Sequence, residues 1–198
     1  MTALSQFESN LAYVRNLLAL ARALNEATTE ALDVGDIQRA AVVMAVSALD
    51  HYVHEKVRRE MAEVLQGTRP QTDAFRRFPV STELLLEARA NPSRDDWLDD
   101  AVRAQHAHKP FLHTDAIADA IRLISPVKLW DAVAVSLGQD TTAVKARLKT
   151  IVDRRNKIAH EADLDPTQPG VRWQMTDQMA CDAVDYIDRV VRAIDAAI

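Results

Sequence analysis

Apolar positions recur at intervals of three and four residues over long stretches of the chain, which is the repeat of one face of an α-helix. The clearest stretches cover residues 3–32, 37–66, 141–162 and 176–198. At about 1.5 Å per residue, each of the first two would be about 45 Å long. The pattern therefore predicts an all-α protein in which four long helices pack as an antiparallel bundle.

Residues typical of helix ends separate these stretches. Gly35 interrupts the first repeat, and Asp36 is placed to cap the second helix. Gly67 suits the position after the end of that helix. Asp140 and Thr176 precede the last two stretches as candidate N-caps.

The segment between the second and third long helices, at about 67–113, has a different character. It holds four of the seven prolines of the chain: Pro70, Pro79, Pro92 and Pro110. Short helices are predicted at 81–90 and 94–107, and Ser93 with Asp96 resembles a capping pair. We interpret the whole chain, residues 1–198, as one helical domain that contains this segment as an insertion.

Two further short helices are predicted before the third long helix. Thr114 can cap the first, which would run to Ile124. The second would begin after Ser125, with Pro126 at its first position, and Gly138 would end it.

Composition and charge limit the function classes. The 198 residues carry a net charge of −5, which argues against nucleic-acid binding by the surface as a whole. Cys181 is the single cysteine, so an internal disulfide and a thiolate zinc site are excluded. No apolar run approaches the ~18 residues of a membrane span, and residues 1–10 lack the basic start of a signal peptide. We expect a cytoplasmic protein that does not span a membrane.

Local charge differs from the average near the third long helix. Residues 139–162 contain six lysines and arginines but three aspartates and glutamates, a balance of +3. Several of the cations stand together near the end of this helix, between Asp153 and Glu161. They either form a solvated face that suits the negative end of the helix dipole or belong to a functional site.

Arg155, Asn156 and His160 form the pattern R-N-x-x-x-H. It resembles the R-x4-6-H motif of the HEPN superfamily, and the surrounding VDRRNKIAH resembles the version in the RiboL-PSP-HEPN branch. The order of a late helix, a Pro/Gly loop and a closing helix fits that branch. The stretch SALDHYVHEKV, residues 47–57, is also similar to its second long helix.

This resemblance implies a function. HEPN proteins are helical bundles, usually dimeric, and many are metal-independent RNases of toxin–antitoxin, phage-defence and RNA-processing systems. The resemblance therefore implies an endoribonuclease without cofactor or metal, with Arg155, His160 and Asn156 at the cleft of a homodimer. RNA would be its substrate, and an antitoxin its possible partner. Two alternatives remain: a catalytically silent HEPN-like module for dimerisation or RNA binding, and a scaffold or regulator without an RNA role.

The spacing of the motif has a physical sense. Positions five apart on a helix differ by about 140° in direction, so Arg155 and His160 do not lie side by side. Asn156 and His160, four apart, do. A dimer cleft would bring two such helix ends around one phosphate. Imidazole can act there as base or acid, guanidinium can hold the phosphate, and Asn156 could orient either partner.

The other histidines form two groups. His51 and His54, three apart on the second long helix, could be a metal pair, part of the cleft or a helix surface. His106, His108 and His113 lie near Pro110, but no cysteine or carboxylate spacing supports a zinc site. We therefore expect no metal centre.

A basic pair with flanking aromatic residues lies in the insertion. Arg76 and Arg77, beside Phe75 and Phe78, could contact RNA through charge and stacking. The same four residues could equally anchor a packed loop. Cys181 is expected to be inert packing.

Overall fold

A computed structural model of the protein describes residues 1–29, 31–91 and 96–198. These residues form the helices α1 (Ala3–Ala27), α2 (Gly35–Leu65), α3 (Asp73–Arg76), α4 (Thr82–Ala90), α5 (Trp97–His106), α6 (Thr114–Ile121), α7 (Leu129–Leu137), α8 (Thr141–His160) and α9 (Asp177–Ala197). Within the described residues, the only β-type pairing is an isolated bridge between Leu164 and Arg172. The prediction of an all-α protein is confirmed.

Ion pairs between α1 and α9 show how these two helices run. Arg22, near the end of α1, pairs with Asp177 at the start of α9. Glu8, near the start of α1, pairs with Arg192 near the end of α9. The two helices are therefore antiparallel.

Contacts of α2 place it at the centre of the bundle. Arg59, late in α2, donates a hydrogen bond to the carbonyl of Met1, so α2 is antiparallel to α1. Tyr52 Oη donates to Asp195 near the end of α9 at 2.9 Å. α2 and α9 thus run parallel, while α1 and α8 each pack against both of them. The four long helices thus form an up-down bundle in which the parallel, diagonally placed helices α2 and α9 are in direct contact.

The core is formed by the inner faces of these long helices. On α8, Val144, Leu148 and Val152 lie on one buried stripe. Tyr186 of α9 is also buried, and its hydroxyl donates to the carbonyl of Val144 at 3.1 Å. Each large apolar side chain buried in this way stabilises the fold by about 1.5–3 kcal/mol.

The junction between α1 and α2 differs from the prediction. α1 ends at Ala27 rather than near residue 32, and α2 begins with Gly35 itself. Asp36 does not cap α2, because the carboxylate that accepts from the Gly35 amide, at 2.8 Å, is that of Asp33. A Cβ at position 35 would lie only 2.8 Å from the Arg39 guanidinium, so glycine leaves room for that side chain.

The short helices agree with the prediction in part, and the differences concern one additional helix and several helix ends. α3 was not expected from the sequence, and α6 ends at Ile121. α7 starts at Leu129, so Pro126 precedes the helix instead of occupying its first position. Gly138 ends α7 in a left-handed conformation, with φ of 62°. The predicted Ser93–Asp96 capping pair involves a residue outside the described ranges.

No helix within the described ranges is both long enough and apolar enough to cross a lipid bilayer.

Candidate functional site

The motif predicted from the sequence occupies the C-terminal end of α8. Arg155 continues the buried stripe of Leu148 and Val152 by one further turn, so its guanidinium emerges from the inner side of the helix. His160 is the last residue of α8, and its side chain is exposed. Asn156, one residue after Arg155, is half-buried.

Arg155 is held by an amide rather than by a carboxylate. Its Nη1 donates to Asn156 Oδ1 at 3.0 Å. Its Nε is buried and has no hydrogen-bond partner among the described residues. No described aspartate or glutamate lies within ion-pair distance of Arg155, which leaves its positive charge uncompensated at close range.

The neighbouring Arg154 has a different environment. Its Nη2 lies 2.8 Å from Oδ2 of Asp163, a fully buried aspartate just beyond the helix. The same Oδ2 accepts from Nε of Arg39, near the start of α2, also at 2.8 Å. Arg39, Arg154 and Asp163 form a buried ion cluster that joins the end of α8 to the start of α2.

The turn after α8 completes this cluster. Asp163 has a left-handed backbone, with φ of 59°, and its amide donates to the carbonyl of Lys157 at 3.0 Å. Its carbonyl accepts from the Trp173 amide at 2.9 Å. Arg39 and Arg154 both donate to the Trp173 carbonyl, at 2.7 and 3.3 Å. The backbone that follows His160 is therefore held by hydrogen bonds to α8 on one side and to the segment around Trp173 on the other.

The cluster also sets the local charge. One carboxylate is shared by two guanidinium groups, so the three side chains together carry +1. Lys157 lies over the ring of Trp173, with its Nζ 5.5 Å from the ring centroid, in a cation–π contact. With Arg155, the end of α8 therefore presents positive charge on a protein whose net charge is −5.

The other predicted residues lie elsewhere. His54 and His106, which the sequence placed in separate groups, pack together with ring centroids 6.2 Å apart, and both rings contact Phe111. Burial, with the nearby charges of Lys109 and His54, lowers the pKa of His106 to about 4. His51, His108 and His113 are exposed. Among the described residues, no group of three or more potential ligands is placed to hold a metal ion.

The basic pair of the insertion and the cysteine can also be placed. Phe75 and Phe78 pack partly buried against the core, while Arg76 and Arg77 are exposed on α3 and just after it. Cys181 is half-buried, its Sγ lies 2.7 Å from Nη2 of Arg22, and burial raises the pKa of its thiol.

Sequence reasoning missed Asp163, the residue that organises the end of α8. Its partner Arg39 is 124 positions away in the chain, so the pair leaves no local pattern. The available signal was an aspartate placed directly between a helix end and a Pro/Gly turn, a position where aspartate tolerates a left-handed backbone.

Comparisons with known proteins identify no relative. A scan against protein-family models, a search of curated proteins and a search of solved structures find no match to this chain. Function is therefore inferred from the chemistry at the end of α8. An imidazole and an unpaired guanidinium on one fixed helix end can transfer a proton and bind a phosphate.

Proposed function

We propose that this protein is a metal-independent endoribonuclease of HEPN type, with Arg155 and His160 as catalytic residues. The observation that supports this most strongly is the contrast between two adjacent arginines. Arg154 forms an ion pair with buried Asp163, whereas Arg155 has only the Asn156 amide as a partner. Its charge is free to act on a phosphate at the end of α8, where the imidazole of His160 is exposed.

The reaction follows from these groups. His160 removes the proton of the ribose 2′-hydroxyl, and the 2′-oxygen attacks the adjacent phosphorus. The bond from phosphorus to the 5′-oxygen breaks, and that oxygen takes up a proton. The products are a 2′,3′-cyclic phosphate and a 5′-hydroxyl. Arg155 stabilises the extra negative charge of the phosphorane, and Asn156 positions the Arg155 guanidinium.

A second copy of the chain supplies the remaining acid. One imidazole cannot take the 2′ proton and protonate the leaving oxygen at the same moment, so a partner's equivalent histidine completes the site. The turn after His160 exposes two apolar side chains, Leu164 at 44% and Val171 at 47%, which a second copy would cover. We propose a homodimer in which the two α8 ends face each other, acting as a toxin or defence effector under the control of an antitoxin.

One observation favours a second candidate function. Nε of Arg155 is buried, so part of this guanidinium is turned into the bundle rather than towards a substrate. A catalytically silent HEPN-like module that dimerises or binds RNA would tolerate this arrangement. Such a module would bind RNA and leave it intact.

Single substitutions test the proposal. His160→Ala and Arg155→Ala should each lower the rate of RNA cleavage by about 100-fold or more, the usual effect of losing an acid–base or charge-stabilising group. His113→Ala, which removes another exposed histidine, serves as the matched control and should cleave normally. Circular dichroism should give the same melting temperature for His160→Ala as for the wild type.

The outcomes separate the two candidates. Full activity in His160→Ala or Arg155→Ala would show that the catalytic residues lie elsewhere. Wild-type protein that binds several RNAs but cleaves none would favour the silent module.

A further inference from the structure

A cleft of about 840 Å³ opens at the start of α8, at the opposite end of this helix from His160. Its walls come from α3, the segment from α6 to α7, and the first turns of α8. Four basic side chains line it: Arg77, Arg122, Lys128 and Lys145. Trp130 also contributes to its wall.

Two of the three carboxylates of the cleft have a cationic partner, and the other, Asp131, has only a hydroxyl. Asp115 lies 3.8 Å from Lys145, and Asp131 accepts a hydrogen bond from Thr141 at 3.1 Å. Asp73 lies 4.0 Å from Arg76, and Arg76 is not part of the cleft lining.

Two of the basic side chains of the cleft have no such partner. Arg77 and Lys128 are exposed, and neither forms an ion pair with any described carboxylate. Arg122, by comparison, pairs with Asp119. Arg77 and Lys128 therefore outnumber Asp131, the one carboxylate of the cleft without a cationic partner, and leave a net charge of +1 that is available to an anion.

The cleft lies on the same side of α8 as the proposed catalytic histidine. At 100° per residue, Lys145, Lys149, Asn156 and His160 fall within about 60° of one another. From Lys145 to His160 the helix rises about 22 Å, which several nucleotides of an extended strand can span. A polar face thus connects the cleft with His160.

A second, more apolar pocket adjoins the cleft at Arg77. It measures about 580 Å³, and its walls include Phe78, Phe111, Leu123 and buried His106. Ala74 and Arg77 line both spaces. A pocket of this size can take a nucleobase, and only an unpaired strand has bases free to enter it. The pair of spaces suits single-stranded RNA better than a duplex or a free phosphate.

We propose that this cleft binds single-stranded RNA, with phosphates on Arg77 and Lys128 and a base in the adjoining pocket. The inference rests on the proposed function in one respect, since it makes the cleft an extension of the substrate site at His160. It assigns a role to the basic pair of the insertion, in which Arg77 contacts the substrate and Phe78 forms a pocket wall.

Binding measurements test the cleft apart from the chemistry. Fluorescence anisotropy would follow a labelled single-stranded RNA of about ten nucleotides, with every protein carrying His160→Ala so that the RNA stays intact. Each phosphate contact to a single strand contributes about 0.7 to the slope of log K against log salt, or about fivefold in affinity near 0.1 M salt. Arg77→Ala with Lys128→Ala should therefore weaken binding about 25-fold and reduce the slope by about 1.4.

A charge-matched control removes two cations from another surface. Arg189→Ala with Arg192→Ala, both on α9, lowers the net charge equally and should leave binding within about twofold. Equal losses in the two double variants would overturn the proposal, because the effect would then be one of net charge. Wild-type affinity in the Arg77/Lys128 variant would overturn it as well, and so would equally tight binding of duplex RNA.

Cleavage assays with protein that retains His160 separate this inference from the proposed function. In the active enzyme, Arg77→Ala with Lys128→Ala should raise KM for a long RNA about 25-fold, and it should leave kcat and the cleavage of a dinucleotide unchanged. If the wild type cleaves no RNA but the cleft variant still loses binding, the proposed nuclease is wrong and the cleft stands. If the variant cleaves long RNA with wild-type KM, the nuclease stands and the cleft is wrong.

Discussion

Replacing Asp163 by alanine would remove the carboxylate that two buried guanidinium groups share. The Asp163 side chain is 1% exposed, and that of Arg39 is 9% exposed, so neither charge is solvated in the folded protein. Without Asp163, Arg39 would keep only its bonds to the Trp173 carbonyl and to Asp36. The fold would then hold a buried positive charge whose one remaining carboxylate partner, Asp36, is largely exposed.

The size of the effect follows from this burial. Breaking a buried ion pair by removing one partner typically costs about 3–5 kcal/mol. Alanine in the left-handed backbone of this position adds about 1 kcal/mol. Arg154 is 21% exposed and can turn partly to water, which offsets some of the loss. We expect Asp163→Ala to lower the free energy of unfolding by about 3–5 kcal/mol, or Tm by about 10 °C.

Urea denaturation followed by circular dichroism measures this change. Asparagine keeps an acceptor oxygen and also tolerates a left-handed backbone. Asp163→Asn should therefore lower the free energy of unfolding by about 1–3 kcal/mol. Asp153→Ala breaks a largely exposed pair with Lys149 in the same helix and should cost less than about 1 kcal/mol.

A double-mutant cycle completes the test. The double variant Asp163→Ala/Arg39→Ala should lose clearly less free energy of unfolding than the two single variants added together. Arg39→Ala removes the buried positive charge that Asp163→Ala leaves without its main partner. Additive losses, or an Asp163→Ala cost no larger than that of Asp153→Ala, would show that the cluster does not stabilise the end of α8.

The remaining predictions concern mechanism, assembly and pH. RNA cleavage should continue in excess EDTA and stop when the cleaved nucleotide lacks its 2′-hydroxyl; a requirement for a divalent ion would contradict the mechanism. Light scattering should give twice the chain mass of 22.1 kDa, and a monomer at micromolar concentration would argue against a shared site. Because the pKa of His106 is about 4 when folded against 6.5 ordinarily, the unfolded chain binds the extra proton between these values. The free energy of unfolding should therefore fall as pH drops through this range, by up to about 1.4 kcal/mol per unit. His106→Phe should remove this slope and exposed His108→Phe should keep it; the opposite result would show that His106 is solvated.

Helix ends that are determined by local capping were predictable from the sequence. Asp140 accepts from the Thr142 amide at 2.8 Å, and Thr176 accepts from the Met179 amide at 3.2 Å, as their positions before α8 and α9 suggested. Both bonds join residues two or three apart, so the sequence alone contains the whole interaction. The start of α2 was predicted wrongly, because the sequence pointed to Asp36 as the cap, whereas the carboxylate that accepts from the Gly35 amide is that of Asp33.

Contacts between distant residues limited what could be predicted of the site. The motif located the end of α8, and the helical repeat indicated that Arg155 and His160 point in different directions. Neither gives the buried ion cluster around Asp163, because its third member, Arg39, lies on another helix. The contact between His54 and His106 is of the same kind, since it depends on how α5 packs against α2.

The two arginines at 154 and 155 show why the motif needs the fold to be interpreted. Both fit R-x4-6-H with His160, since five residues separate Arg154 from the histidine and four separate Arg155 from it. Consecutive positions on a helix differ by about 100°, so one guanidinium reaches Asp163 and the other continues the stripe of Val152. A guanidinium that already shares a buried carboxylate would have to break that pair before it could bind a phosphate, at a cost of several kcal/mol. Arg155 has no such pair to break, and for this reason we assign the phosphate-binding role to it.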